Sequence, residues 1–278
     1  MAVDLHLHSD RSDGTDPPAV VVDHAVAAGL GAMALTDHDT LGGVAEARRA
    51  AAGRIRVIPG VELSVEWPTG TMHLLGYWTE PGTGPLEDRL EELRRDRDRR
   101  NAAIVDALGD LGIEISIDEV ERRAGGDSVG RPHIAAALVD RGVVSSIPEA
   151  FDRFLAAGRP AYRPRHRLPA AEAVRLVRAS GGVAAVAHPH TVATAADAFS
   201  DAFASFADVG IDGVECHYAE YVPSQRSRLD TLARSHGLVP TGGSDYHGDH
   251  KPGISVGRGR GDLAVPDAAL DELEARRD

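Results

Sequence analysis

The chain has 278 residues, of which 42% are hydrophobic but only 4% aromatic, so its core must consist mainly of Ala, Val, Leu and Ile. The formal net charge of −13 argues against binding to long duplex nucleic acid, because that function normally requires a basic face. A small phosphorylated substrate, held by a few arginines and divalent cations, is not excluded by this charge.

The single cysteine, Cys216, excludes an intrachain disulfide and fits a reducing cytoplasm. The first residues lack the basic and apolar regions of a signal peptide. No run reaches the roughly 18 apolar residues of a membrane span. We therefore expect a cytoplasmic protein without membrane contact.

Short apolar runs alternate with amphipathic stretches along most of the chain. Seven runs predict strands, at residues 3–8, 32–36, 57–64, 72–77, 183–188, 213–217 and 238–242. Amphipathic stretches predict helices at residues 17–28, 41–52, 170–179 and 224–236. This alternation is typical of parallel β/α units. Seven strands fit a barrel or a wide open sheet, and the length allows a barrel with a smaller subdomain.

Residues 85–162 interrupt this alternation, because they contain no convincing strand. Residues 86–108 predict a long charged amphipathic helix, and residues 131–141 and 148–157 predict shorter ones. We interpret 85–162 as an all-α insertion, a substrate lid between two barrel segments at residues 1–84 and 163–278.

Side chains that commonly bind metal occur at the end of nearly every predicted strand. They are His6, His8, Asp13, His38, Glu62, His73, His188, His190, His217, Asp245 and His247. His6 and His8 share one face of the first strand, because side chains alternate. The other strands deliver such residues mostly at their C-terminal ends, where α/β barrels place their active sites. Mixed imidazole and carboxylate ligands suit Zn²⁺, Mn²⁺ or Fe²⁺, and sites with two or more ions are typical of hydrolytic phosphoryl transfer.

The motifs DLHLHSDRSDG, TDHDT, GVELS, HLLGY, AHPH and GSDYH resemble those of the PHP (polymerase and histidinol phosphatase) superfamily. The similarity extends to about Gly257. The element VGRPH at residues 129–133 resembles one branch, the small phosphoesterases that act on nucleotide or oligonucleotide ends. The resemblance implies a distorted (β/α)₇ barrel. It also implies hydrolysis of small nucleotides, such as nucleoside 3′,5′-bisphosphates or monophosphates, or of short oligonucleotide ends.

The resemblance further implies two or three divalent metal ions (Mn²⁺, Zn²⁺ or Fe²⁺) in a trinuclear centre. One ion would take His6, His8, Glu62 and Asp245, a second Asp13, His38 and His247, and a third Glu62 as a bridge with His73 and His188. Some family members have His where this chain has Asp13, and a carboxylate there would favour Mn²⁺ or Fe²⁺ over Zn²⁺.

The strongest candidate for phosphate contact outside this set is Arg131. It opens a predicted helix after Gly130, with Pro132 in the first turn. A guanidinium at a helix N-terminus suits a phosphate. We expect His133, His190 and His217 to contact the substrate as well.

For the chemistry, we expect metal-assisted hydrolysis in which Asp245 takes a proton from the nucleophile and His217 protonates the leaving oxygen. Other residues near the motifs have supporting or structural interpretations. Asp37 and Asp39 should hydrogen-bond ligand imidazoles, and Arg163, Arg165 and Arg167 should form a solvated linker. We expect His24, His166, His236 and His250 at the surface. Lys251, Arg258 and Arg260 cannot be ranked.

Three alternatives remain. Another PHP substrate, such as a sugar phosphate or histidinol phosphate, would need the same ligands. A C–N amidohydrolase usually needs a carboxylated lysine bridge, and the one lysine, Lys251, comes late in a loop. A non-catalytic PHP binding module should have lost ligands, whereas here every expected position holds one.

Overall fold

The computed structural model describes residues 2–124, 129–164, 167–192 and 198–277. Within these residues, the apolar runs predicted as strands belong to one twisted sheet. Its strands are β1 (Ala2–Leu7), β2 (Ala32–Leu35), β3 (Arg56–Trp67), β4 (Gly70–Tyr77), β5 (Leu168–Pro169), β6 (Val183–Val186), β7 (Gly213–Tyr218), β8 (Val239–Gly243) and β9 (Val265–Pro266).

The sheet curves into a nearly closed barrel of seven strands in the order β1-β2-β3-β4-β6-β7-β8, with β5 paired to β3 and β9 to β1. The first and last barrel strands meet where β8 ends. The amide of Asp245 donates to His6 O at 2.8 Å, and the amide of His8 donates to Tyr246 O at 3.0 Å. The expected distorted seven-stranded α/β barrel is therefore confirmed.

Helices cover the barrel and form the insertion. In the described residues they are α1 (Pro18–Ala27), α2 (Val44–Ala51), α3 (Gly84–Asp110), α4 (Ile117–Ala124), α5 (Arg131–Asp140), α6 (Ile147–Ala150), α7 (Ala170–Ala179), α8 (Ala198–Val209), α9 (Pro223–Ser235) and α10 (Ala268–Glu274). A helix packs on the sheet through small apolar residues one turn apart, as α7 does with Ala173, Val174 and Val177. None of the described helices is long and apolar enough to cross a membrane.

β4 differs from the expectation of parallel units, because it runs antiparallel to both β3 and β6. Two residues, Pro68 and Thr69, join β3 to β4, and such a short link can form a hairpin but not a parallel crossover. The pairing sets Ser64 opposite His73. The start of β4 consequently lies at the end of the barrel where the parallel strands finish, which is where the other candidate ligands lie.

The insertion has a hydrophobic core of its own, which includes Ile104, Val120, Ile134, Leu138 and Leu155. Its secondary structure in the described residues is helical, with a π-helical turn over Phe151–Leu155.

The first half of α3, however, packs against the barrel, because Leu86, Leu90 and Leu93 belong to the core formed by β3, β4 and α7. The boundaries drawn at residues 84/85 and 162/163 stay predictions.

Candidate metal centre

Glu62, from the middle of β3, lies at the centre of the candidate site and is 1% exposed. Its Oε2 lies 3.2 Å from His6 Nε2 and 3.0 Å from His8 Nε2. Its Oε1 lies 2.8 Å from His73 Nδ1 and 3.1 Å from His188 Nε2. His38 Nδ1 also lies 3.4 Å from Oε2. The two carboxylate oxygens therefore face different imidazoles, which is a geometry suited to a bridging ligand.

Asp13 forms a second centre in the turn after β1. Its Oδ1 lies 3.3 Å from His247 Nε2 and 3.6 Å from His8 Nδ1, and its Oδ2 lies 3.6 Å from His38 Nε2. Asp245 completes the site, with Oδ1 at 3.4 Å from a ring nitrogen of each of His6, His8 and His247.

The structure thus brings all nine predicted ligand residues together. Donor atoms within 4.8 Å of one another form three groups: His8, Asp13, His38 and His247; His6, His8 and Asp245; and His38, Glu62 and His73. The groups differ from the expected sets in three respects. Glu62 is absent from the group of His6, His8 and Asp245. His8 belongs to two of them, and His38 takes the place beside Glu62 and His73 that we expected for His188. The assignment of ligands to particular ions stays a prediction.

The electrostatics of the cluster fit bound cations. Burial lowers the pKa of His8, but Asp245, Glu62 and Asp13 raise it to about 10. Burial raises the pKa of Asp13, yet His38, His247 and His8 bring it well below its usual range. The buried carboxylates therefore stabilise positive charge at this position, and this donor set fits divalent transition metals.

Three residues of the site have a positive φ angle, a backbone conformation that residues other than glycine rarely adopt. The φ angles are 55° for Asp39, 27° for His188 and 53° for Asp245. Each such residue costs on the order of 1–3 kcal/mol and persists only where surrounding contacts hold it. Here those contacts include the bonds from Asp39 N to Glu62 O and from Asp245 N to His6 O.

The contacts of Asp37 and Asp39 differ from the expected bonds to imidazoles. Asp37 accepts from Ser9 N at 2.8 Å, Ser9 Oγ at 2.7 Å and Ser12 Oγ at 2.6 Å, and so holds the turn that carries Asp13. The carboxylate of Asp39 bonds Arg97 from α3. Short hydroxyl side chains reach Asp37 because the turn after β1 folds directly over it.

The carboxylate that contacts a ligand imidazole is instead that of Glu215 on β7. Glu215 is buried and was not among the residues predicted for the site. Its Oε1 lies 3.0 Å from His6 Nδ1, and its Oε2 accepts from the amide of His188 at 2.7 Å. One carboxylate thus orients two candidate ligands. A charged residue within an otherwise apolar strand was the signal for it.

Two further residues that the sequence did not rank contact Asp245. Tyr218 OH and Lys251 Nζ both donate to Asp245 Oδ2. Neither has a sequence pattern of its own, because Tyr218 reaches Asp245 from the irregular end of β7 and Lys251 reaches it from the loop after β8.

A cavity of about 340 Å³ opens beside the cluster. It is lined by ligand-type residues and by four arginines from the insertion and its junction with the barrel: Asp13, His38, His73, His188, Arg97, Arg100, Arg131 and Arg167. We expected Arg167 to be part of a solvated linker; it lines this cavity instead. Arg165 and His166 lie outside the described residues.

Arg131 is held in place within this cavity. Its guanidinium lies 5.6 Å from the ring centre of Phe151 and 5.7 Å from that of Tyr162, and Nη1 donates to Leu155 O at 3.2 Å. Burial lowers the pKa of Arg131, and the nearby Arg167 and Arg97 lower it further. Several guanidinium groups thus share one half-buried space, which favours an anion.

Two of the predicted substrate contacts lie elsewhere. His133 is fully buried, and its Nδ1 accepts from the amide of Gly130 at 2.9 Å, so it caps α5. His217 lies 3.1 Å from Asp230 on α9. The β7 register shifts between Glu215 and His217, so the end of this strand is irregular at the position where we expected His217 to face the site.

The remaining histidines occupy distinct environments. The ring of His190 lies 5.9 Å from that of His188, and its Nδ1 lies 2.9 Å from Tyr221 OH. His250, which we expected only at the surface, is half-buried, and its Nδ1 lies 2.9 Å from Asp13 O. It therefore supports the turn that carries a candidate ligand.

Comparison with known proteins is consistent with this geometry. Residues 4–108 match the family model described as PHP domain. The chain is 33% identical to the 3′,5′-nucleoside bisphosphate phosphatase of Chromobacterium violaceum, over 99% of this chain and 97% of the relative. It is also 33% identical to the 5′-3′ exoribonuclease Rnm of Escherichia coli, over 92% of this chain and 88% of that protein.

A solved structure from Bifidobacterium adolescentis, which bears the name of a metal-dependent phosphoesterase, has a similar fold. Its TM-score is 0.86 at 32% identity, with 99% of this chain and 96% of that chain covered.

Proposed function

This chain belongs to the PHP domain family, and from that premise we propose that it is a metal-dependent phosphoesterase acting on small nucleotides or short oligonucleotide ends. The observation that carries the proposal is the position of the arginine-lined cavity beside the buried His, Asp and Glu cluster. A cation site beside an arginine-lined pocket suits a phosphate ester, because its reacting phosphate can contact the cations while another anionic group contacts the arginines.

The cluster would hold two or three divalent ions. The proposed ligands are His6, His8, Asp13, His38, Glu62, His73, His188, Asp245 and His247, with Glu62 as a bridge. Such ions supply Lewis acidity and lower the pKa of a bound water. Glu215 and Asp37 keep the ligands in position, the first through His6 and His188 and the second through the turn before Asp13.

The cavity would bind a second anionic group of the substrate. Arg131 and Arg167 line the cavity together with the candidate ligands, and Arg97 connects it to the His38 loop through Asp39. A substrate with one phosphate at the cluster would extend a second phosphate or a neighbouring nucleotide towards these arginines. The names of the relatives, a bisphosphate phosphatase and an exoribonuclease, support such a substrate.

His190 remains a proposed substrate contact, and Asp245 remains the proposed proton acceptor. The contact of His217 with Asp230 weighs against His217 as the group that protonates the leaving oxygen, and the cap that His133 forms weighs against a substrate contact there. Both roles stay predictions. The amidohydrolase alternative is disfavoured, since Lys251 Nζ is paired with Asp245 Oδ2 at 2.6 Å and does not bridge ligands. A cytoplasmic location stays a prediction.

The test is a comparison of phosphate release from nucleoside 3′,5′-bisphosphates, 3′- and 5′-monophosphates, short 5′-phosphorylated oligonucleotides, a sugar phosphate and histidinol phosphate, with Mn²⁺ added. We expect nucleotide or oligonucleotide substrates to be preferred and long duplex DNA to be a poor substrate. His6→Ala and a chelator provide the controls. Faster amide cleavage than phosphate release, or full activity in chelator, would refute the proposal.

A further inference from the structure

Lys251 is the one lysine among the 30 Lys and Arg residues of the chain. It follows the short 3₁₀ turn Gly248–His250, and its side chain is 24% exposed. All the other residues in this count are arginines. The one side-chain ammonium group of the sequence therefore lies at the candidate metal centre.

The contacts of Lys251 form a closed triangle with two other residues. Nζ donates to Asp245 Oδ2 at 2.6 Å and to Tyr218 OH at 2.8 Å, and Tyr218 OH donates to the same Asp245 oxygen at 2.9 Å. Asp245 Oδ2 thus accepts two hydrogen bonds, one of them charge-assisted.

The other oxygen of Asp245 has a different environment. Oδ1 lies 3.4 Å from a ring nitrogen of His6, His8 and His247. The carboxylate is therefore divided between two functions: Oδ1 faces the ligand cluster, and Oδ2 faces Lys251 and Tyr218.

We propose that Lys251 is a positioning residue that, together with Tyr218, restricts Asp245 to presenting a single oxygen to the cluster. The proposal rests on the proposed function, because it takes Asp245 as a metal ligand. A carboxylate can bind a cation through one or both oxygens. If Oδ2 were released, both oxygens would be available to one ion, and a position needed by water or substrate would be filled.

The choice of lysine over arginine supports this role. A guanidinium tends to engage both oxygens of a carboxylate, whereas an ammonium is a compact point donor. Some arginines in this chain engage both oxygens: Arg48 contacts Glu80 at 2.7 and 2.7 Å, and Arg141 contacts Glu119 at 3.0 and 2.7 Å. An arginine at position 251 would compete with the cluster for Asp245 Oδ1.

The experiment compares the full-length variants Lys251→Met, Lys251→Arg and Tyr218→Phe with wild type. Arg260→Met is the matched control, because it removes one positive charge from the same loop at a side chain that is 56% exposed. Circular dichroism would check folding. The readouts are metal content per chain, the visible absorption of the Co²⁺-reconstituted protein, and kcat and KM on the substrate that wild type prefers.

We expect Lys251→Met to retain its metal while kcat falls about 10- to 100-fold and KM changes by less than about threefold, as for loss of a charge-assisted hydrogen bond. The Co²⁺ absorption should weaken, because a higher coordination number weakens these bands. Tyr218→Phe should show a smaller change in the same direction. Lys251→Arg should lose metal, and Arg260→Met should resemble wild type.

A wild-type Co²⁺ spectrum and kcat in both Lys251→Met and Tyr218→Phe would overturn the proposal. So would full rescue by Lys251→Arg, since charge alone would then suffice. Loss of metal from Lys251→Met as complete as from Asp245→Ala would show that Lys251 assembles the cluster and does not orient it. Failure of the proposed function has a different signature, because wild type itself would then lack metal or release no phosphate.

Discussion

Replacing Arg131 with alanine should weaken catalysis on substrates that carry two phosphates while leaving the metal centre intact. Arg131 lies between the rings of Phe151 and Tyr162 in the cavity beside the cluster. A charge-assisted contact between such a guanidinium and a phosphate is worth roughly 1.5–3 kcal/mol. That free energy corresponds to a fall in kcat/KM of about 10- to 150-fold.

The assay measures kcat/KM for a nucleoside 3′,5′-bisphosphate and for a small aryl phosphate, together with metal content. The loss should be confined largely to the bisphosphate, because an aryl phosphate has no group that reaches the cavity. Arg141→Ala is the matched control, since Arg141 caps the other end of α5 and pairs with Glu119 on the surface. Equal losses on both substrates, or no loss on either, would refute the assignment of Arg131 to a second phosphate.

Three other predictions follow from the contacts described above. His6→Ala should remove most of the bound metal and nearly all activity, which elemental analysis and phosphate release would show; retention of both would exclude His6 as a ligand. Gly243→Ala should also lose metal, because an added Cβ would clash with the backbone and Cβ of His6, and a normal metal content would show that β1 can shift without cost. Glu149→Gln should lower stability at neutral pH, because hydrogen bonds from Ser145 and Arg153 lower the pKa of Glu149 from 4.5 to about 2. The difference from wild type in denaturant unfolding should shrink as pH falls from 4.5 towards 2, since stability from a depressed carboxyl pKa is lost on protonation; a constant difference would contradict this.

The features that depend on the local periodicity of side chains could be predicted from the sequence. Alternation places His6 and His8 on one face of β1, and the segments that follow β2 and β6 deliver His38 and His188 to one end of the barrel. These inferences succeed because the side-chain period of a strand and the geometry of parallel strands fix where such residues meet.

Features that depend on irregular backbone or on long-range packing could not be predicted in this way. The register shift in β7 turns His217 towards Asp230 and allows Tyr218 to reach Asp245. The contact of Lys251 with Asp245 could not be predicted, since it depends on how the loop after β8 folds. The reversal of β4 follows from its short hairpin, which the apolar pattern alone does not reveal.

The same limit applies to the cavity. Arg97 and Arg100 lie on the long charged helix predicted at residues 86–108, and both are largely buried and line the cavity. Charge patterning along a helix does not show which charged residues face a neighbouring cavity, because this depends on how the whole insertion packs.

The long helix α3 sets a limit on how this protein could be shortened by engineering. Its 27 residues span about 40 Å at 1.5 Å per residue, so one rigid rod has its first turns in the barrel core and its last turns in the insertion core. A deletion beginning at residue 85 would strip Leu86, Leu90 and Leu93 from the barrel and remove the partner of Asp39. A minimal barrel should therefore keep α3 through Arg97 and be cut only beyond it.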